Sequence, residues 1–340
     1  MRAIVIVIRD LYLESGESPD ATVPGIEQLA RFGDETALPE GWRAWTARWL
    51  GLPQYAAAAP ASIAAAALAD APADRAVWLA TPVHLIAGLT SLHFDRRSVL
   101  RLQEAELRQL AASFAATFRD SGFELRPLAG GELLLSGPQV PAPASTTEPA
   151  RMVLTSVAES LPMGEGARAL RRLSAEIEMW LHGHPVNDQL TRRGALTVAT
   201  LWLWGGGDPS AAHAVATPEA IKDAAFGADA YVRGLWRLAG GETRPMPVDW
   251  AAVIGEPRAE RALVVVEVAE LLQANASWSL ADAMAEIDHR LISPSVAALR
   301  RGELERLILL ANDRCLSLRA ADHWRLWRRM RGRKGLEALA

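Results

Sequence analysis

The hexapeptide Ala3–Ile8, AIVIVI, limits the fold of this chain more than any other stretch, because it is apolar throughout with no polar alternation. A strand with one wet face alternates. A run that does not is buried on both faces, as in a parallel sheet covered by helices. Ala262–Val268, ALVVVEV, has the same character and carries Glu267 near its C-terminal end, and Leu304–Leu310 is a third apolar run ending at Asn312-Asp313. Between these two, Ser279 is placed to cap a helix from Leu280 to about Leu299, with Asp282 in its first turn. Strand, helix, strand at this spacing is a βαβ unit, with Leu316–Leu318 continuing into an antiparallel partner. AIVIVI and ALVVVEV share one sheet only if the middle of the chain is an excursion. The predicted fold class is therefore α/β, a central mostly parallel sheet with a smaller inserted α+β lobe.

The lobe is expected over residues 77–136. Val77–Ala80 reads as a strand running into Pro82 and His84, with Leu89–Phe94 as its partner. Leu107, Leu110, Phe114 and Phe118 recur at helical spacing, and Phe123–Pro127 and Glu132–Ser136 form a hairpin about Gly130-Gly131. Residues 137–150, with four prolines and Ser145-Thr146-Thr147, have linker composition. Residues 1–76 are then the first part of the core, and 151–340 hold a central unit and the C-terminal βαβ unit. Helices are predicted at Thr217–Phe226 and Asp229–Leu238, and Trp42, Trp45 and Trp49 share one helical face suited to core packing.

The richest stretch chemically is Glu176–Asp208, EIEMWLHGHPVNDQLTRRGALTVATLWLWGGGD. Leu170, Leu173, Ile177, Trp180 and Leu181 mark a helix that Pro185 is expected to end, which puts His182 and His184 at a helix C-terminus. The carbonyl end of the dipole would raise the imidazole pKa there. Leu201–Trp204 is strand-like, and Gly205, Gly206 and Gly207 free backbone amides for close approach. A small anionic or phosphorylated ligand would be met by His184, Asn187 and the three glycines, with His182 and Trp204 beside them. The competing reading has equal weight: core tryptophans, a tight glycine turn, and a His184–Asn187 clasp.

H-P-V-N followed by W-x-W-G-G-G resembles a segment of the cofactor-independent phosphoglycerate mutase-like proteins, and more closely the bacterial branch of RpfE-type regulatory proteins. The tryptophan-led Trp78–Leu85 segment, WLATPVHL, strengthens the likeness, which covers about residues 76–210. His184, Asn187, Gly194 and Gly205–Gly207 match; Leu190 and Ala199 stand where the family tends to have Arg and Asn, with Arg192 or Arg193 as conceivable substitutes for the charge. The resemblance implies an alkaline phosphatase-like core whose active members use two divalent metal ions, Mn, Zn or Mg. The implied ligands are not assembled here. Asp10 follows Arg9 and reads as a surface or capping residue, and Glu267, His289, Asp313 and His323 do not form the expected pairs. No catalytic residue, metal ligand or cofactor is therefore assigned. The implied function is that of a degenerate, regulatory or ligand-binding pseudoenzyme; the alternatives are an active metal-dependent phosphomutase or phosphatase, and a nucleic-acid-binding regulator using the basic stretch Asp322–Lys334.

A formal charge of −4 gives no general attraction to nucleic acid. Lysine occurs only at Lys222 and Lys334 among 36 basic residues. The single Cys315 excludes an internal disulfide and lies in an apolar run, which suits buried packing in a reducing compartment. No stretch reaches the ~18 apolar residues of a membrane span. A cytoplasmic protein with a small-ligand or protein partner is expected.

Overall fold

The structure is a computed structural model that describes residues 2–13, 20–72, 74–89, 91–138, 144–153, 155–208, 221–254, 259–322 and 335–339. Its strands are β1 (Ala3–Ile8), β2 (Asp34–Ala37), β3 (Ala76–Val83), β4 (Ile86–Ala87), β5 (Leu92–His93) and β6 (Glu124–Pro127). They continue with β7 (Leu133–Gly137), β8 (Thr200–Gly207), β9 (Ala224–Phe226), β10 (Arg261–Val266), β11 (Arg306–Ala311) and β12 (Arg314–Arg319). The chain divides into two compact units, one of Met1–Gly51, Glu219–Ala228 and Gly240–Ala340, the other of Leu52–Pro218 and Asp229–Ala239.

In the first unit the described strands form a six-stranded sheet in the order β2-β12-β11-β1-β10-β9. All six residues of β1 are buried, and both of its neighbours run parallel to it, Ile6 lying opposite Val264 on β10 and Leu309 on β11. The absence of polar alternation in AIVIVI thus has its expected cause. Ile4, Ile6 and Ile8 share a core with Ile26 and Leu29 of the helix Pro24–Phe32 and with Met284 and Leu299. β11 turns into antiparallel β12 through Asn312 and Asp313, whose φ angles of 51° and 57° are left-handed. Asn and Asp are the residues that best tolerate that region after glycine. Cys315 is buried, and burial pushes its thiol pKa up.

The long helix expected from Leu280 begins as read, with Ser279 and Asp282 making a capping box, but it stops at Ile287. A wider π turn spans Asp288–Ile292 before Ser293–Arg301 resumes the helix, with Pro294 in its first turn. Proline cannot donate to the preceding turn, and the wider turn accommodates its ring. The buried Asp288 carboxylate accepts from the amides of Gly25 at 3.1 Å and Ile26 at 2.8 Å, so it caps the helix Pro24–Phe32. The helix predicted at Thr217–Phe226 is also corrected. Ala224–Phe226 is strand β9, paired in parallel with β10, and residues 217–220 lie outside the described residues.

The second unit holds an antiparallel sheet in the order β6-β7-β3-β8. The β6–β7 hairpin and the helix Glu104–Thr117 follow the reading from spacing. Leu107, Leu110 and Phe114 pack with Leu170, Leu173 and Ile177 of the helix Ala167–His182 over Leu201 and Leu203 of β8. Leu89–Phe94 does not pair with Val77–Ala80: β5 pairs with β4, and the neighbours of β3 are β7 and β8. Pairing with β3 draws the central Glu176–Gly207 stretch into this unit, so the bounds expected for the lobe differ from the compact units. Part of the expected linker packs on β8, where the Trp202 indole donates to the Thr147 carbonyl at 2.8 Å; residues 139–143 lie outside the described residues.

Candidate functional site

The helix Ala167–His182 stops at Gly183, but Pro185 then opens a second helix, Pro185–Arg192. Proline at a first helical position loses no internal hydrogen bond, so it starts a helix as readily as it ends one. His184 is therefore an N-cap and not a C-terminal residue, and its Nδ1 accepts from the Val186 amide at 3.1 Å. That bond leaves Nδ1 unprotonated. The ring is 4% exposed and meets Trp180 edge-on at 4.9 Å, while Trp180 is itself packed against Phe114 and Phe118. Desolvation lowers the His184 pKa, the reverse of the rise expected at a helix C-terminus. His182 is exposed.

Asn187 uses its whole amide internally. Its Nδ2 donates to the carbonyls of Leu181 and Val198, each at 3.0 Å, and its Oδ1 accepts from the Val198 amide at 2.8 Å. The amide ties the end of one helix to the chain entering β8. The glycines lie at the other end of β8, about 20 Å further along the strand. Along the strand the glycines thus stand apart from Asn187. A Cβ on Gly206 would collide with the Trp78 indole, one on Gly207 would collide with Ala59, and one on Gly205, at φ 61°, would lie 3.1 Å from Pro60. The Gly205 amide donates to Thr146 Oγ1, and the Trp204 indole donates to Thr81 Oγ1 at 2.8 Å. Each assigned residue except exposed His182 has an intramolecular role. Arg193 pairs with Glu106 at 3.2 Å.

The buried, neutral His184 makes stability pH-dependent. Its folded pKa lies below the unfolded value, so the unfolded chain binds the proton first as pH falls. Its contribution is fully present above about pH 6.5 and is lost as pH falls below that value toward the folded pKa. Thermal unfolding of wild type and His184→Asn, which keeps a capping acceptor without the titration, is expected to differ in slope below about pH 6.5. Parallel curves would contradict the buried neutral state.

The other constellation lies where the parallel strands of the first unit end, the usual ligand position of α/β sheets. β1 and β10 are in register, Ile8 beside Val266, so Arg9 and Glu267 emerge side by side. Arg9 Nε lies 2.8 Å from Glu267 Oε1, and both side chains are 8% exposed. Glu267 holds the N-cap position of the helix Val268–Ala274 without a side-chain capping bond. Asp10 supplies it instead, Oδ1 accepting from Val268 at 2.8 Å and Oδ2 from Ala269 at 2.7 Å. Burial first, and then the neighbouring Glu267, hold the Asp10 carboxyl above the usual range, opposed by those amides and by Arg9. Asn312 accepts from the Leu13 amide and donates to the Leu339 carbonyl, and His289 is exposed.

The metal ions implied by the resemblance do not fit this end of the sheet. Two divalent ions need about five or six oxygen and imidazole ligands. Here one carboxylate neutralises an arginine and another caps a helix. Among the described residues no group of three or more His, Cys, Asp or Glu could hold a metal ion. His323 and the basic residues through Lys334 lie outside the described residues. The Arg9–Glu267 pair was legible in principle, since Arg9 follows one apolar strand and Glu267 lies near the C-terminal end of another expected to share its sheet. Among the described residues no helix is long and apolar enough to cross a membrane.

No family model matches the sequence. No curated protein matches it either. Among solved structures, the chain is similar to the cofactor-independent phosphoglycerate mutase from Thermoplasma acidophilum DSM 1728, with 15% identity, a TM-score of 0.39 and coverage of 93% of this chain and 89% of that one. It is likewise similar to the PH0037 protein from Pyrococcus horikoshii, with 13% identity, a TM-score of 0.45 and coverage of 92% and 82%. At these values the likeness carries no functional argument; the chemistry at the end of the sheet does.

Proposed function

We propose that the protein is a degenerate phosphoglycerate mutase-like protein, a regulatory or ligand-binding pseudoenzyme. One observation carries this reading: the carboxylates at the C-terminal ends of β1 and β10 are consumed by an arginine and by two backbone amides. A metal would have to displace a buried cation and uncap a helix before it gained its first two ligands. The H-P-V-N and W-G-G-G elements support the family side of the reading, and their structural roles account for their presence without turnover. The test is an assay of 3-phosphoglycerate and of a generic phosphomonoester with Mn, Mg or Zn supplied in excess. No turnover above the protein-free rate is expected. Metal-dependent turnover that co-purifies with the protein and disappears on Asp10→Asn would overturn the proposal.

A further inference from the structure

Within the second unit the helix Ala167–His182 buries Leu170, Leu173, Ile177 and Leu181 and turns its opposite face to solvent. Arg171, Arg172, Ala175, Glu178, Met179 and His182 fall on that open face at helical spacing, and all of them are exposed. The stripe is uneven along its length. Its first half carries the arginines and its second half Glu178, with the small Ala175 between them. Met179 is 71% exposed, which is unusual for a large apolar side chain. Leu161 and Met163, in the segment before the helix, are exposed as well. That segment is held beside the first half of the stripe, because the Arg171 guanidinium donates twice to the Pro162 carbonyl, at 3.0 and 2.6 Å. Arg171, Ala175 and Glu178 also line a wall of an open, mainly apolar cavity beside β8, so the apolar surface left uncovered is wider than the helix.

These features are complementary to themselves about one point. A two-fold axis at Ala175 that pairs the helix with a second copy, antiparallel, sets residues equally far before and after Ala175 opposite each other. Arg172, three residues before, then meets Glu178, three after, once on each side of the axis. Arg171, four before, meets Met179, four after, so Met179 of each copy reaches the Leu161–Met163 segment held beside Arg171 of the other. Ala175 meets itself, and a methyl group there allows the axes to approach to about 8–10 Å. A parallel pairing would instead set arginine on arginine and glutamate on glutamate. Within its own helix Arg172 donates to Glu176 at 2.9 Å, and Glu178 of a second copy would extend that pair into a network. Burial raises the Glu178 pKa, opposed by the Thr200 hydroxyl, and an arginine brought by a second copy would favour the charged form.

We propose that this face is a homodimer interface, in which two copies of the helix Ala167–His182 pair antiparallel about a two-fold axis at Ala175, with Met179 of each on Leu161 and Met163 of the other and Arg172 facing Glu178. The interface does not depend on whether the sheet end of the first unit is catalytic. The test is sedimentation equilibrium of the full chain. A monomer–dimer equilibrium with a micromolar dissociation constant is expected. Glu178→Arg sets like charges opposite each other on both sides of the axis and is expected to weaken the dimer at least about tenfold. Adding Arg172→Glu reverses both signs, and the double variant is expected to return to within about threefold of wild type. Met179→Asp is likewise expected to weaken the dimer at least about tenfold, and it tests the same surface without touching the Thr200 contact should Glu178→Arg not fold. A wild-type chain that is monomeric at about 0.5 mM, well above a micromolar constant, would overturn the proposal. So would a dimer of unchanged strength in the single variants, which would place the interface elsewhere, or a double variant as weak as Glu178→Arg alone.

Discussion

Arg9→Ala is expected to lower the unfolding free energy by about 3–5 kcal/mol, the cost of leaving a buried charge without its partner. Glu267 is 8% exposed and would then stand beside Asp10 with no cation between two buried carboxylates. The pair itself is not expected to contribute much beyond an apolar pair of the same size, because desolvation offsets most of its attraction. A double variant, Arg9→Met with Glu267→Leu, is therefore expected to recover to within about 1 kcal/mol of wild type or to exceed it. Urea unfolding of the three proteins measures both effects. A loss below about 1 kcal/mol for Arg9→Ala would mean that the pair is solvated and the sheet end open.

Asn187→Ala has the second largest expected effect. It removes three hydrogen bonds at once and leaves both backbone groups of Val198 without their partner, while the Leu181 carbonyl keeps the His184 amide at 3.1 Å. At about 1–3 kcal/mol for each buried group left unsatisfied, and with some access of water, a loss of about 2–4 kcal/mol is expected in the absence of any ligand. Asn187→Asp is expected to be no better, since a carboxylate can accept from Val198 but faces two carbonyls with nothing to donate. Thermal unfolding without ligand distinguishes the clasp from a binding residue: an unchanged melting temperature in both variants would restore Asn187 to a ligand site.

The parts legible in the sequence are those with one physical cause. AIVIVI and the apolar start of ALVVVEV lack polar alternation because both faces of β1 and β10 are covered, and their pairing follows. The β6–β7 hairpin and the Ser279–Asp282 cap are likewise local. What spacing misread had two local solutions decided by distant partners. Pro185 both closes one helix and opens the next, which reversed the expected effect on His184. The glycines after Trp204 suit a phosphate loop equally well in sequence, but Trp78, Ala59 and Pro60 fill the space they leave. Asp10 was readable as a cap, although the helix it caps lies far along the chain.

The central claim is that the end of the parallel sheet is closed by its own side chains. Metal analysis of protein purified without chelator, followed by calorimetric titration with Mn, tests this most directly. Less than a tenth of an equivalent of Mn, Zn or Mg on purification, on the order of background, and no saturable heat on titration are expected for wild type. Two tightly held ions per chain, lost on Asp10→Asn or Glu267→Gln, would contradict the claim.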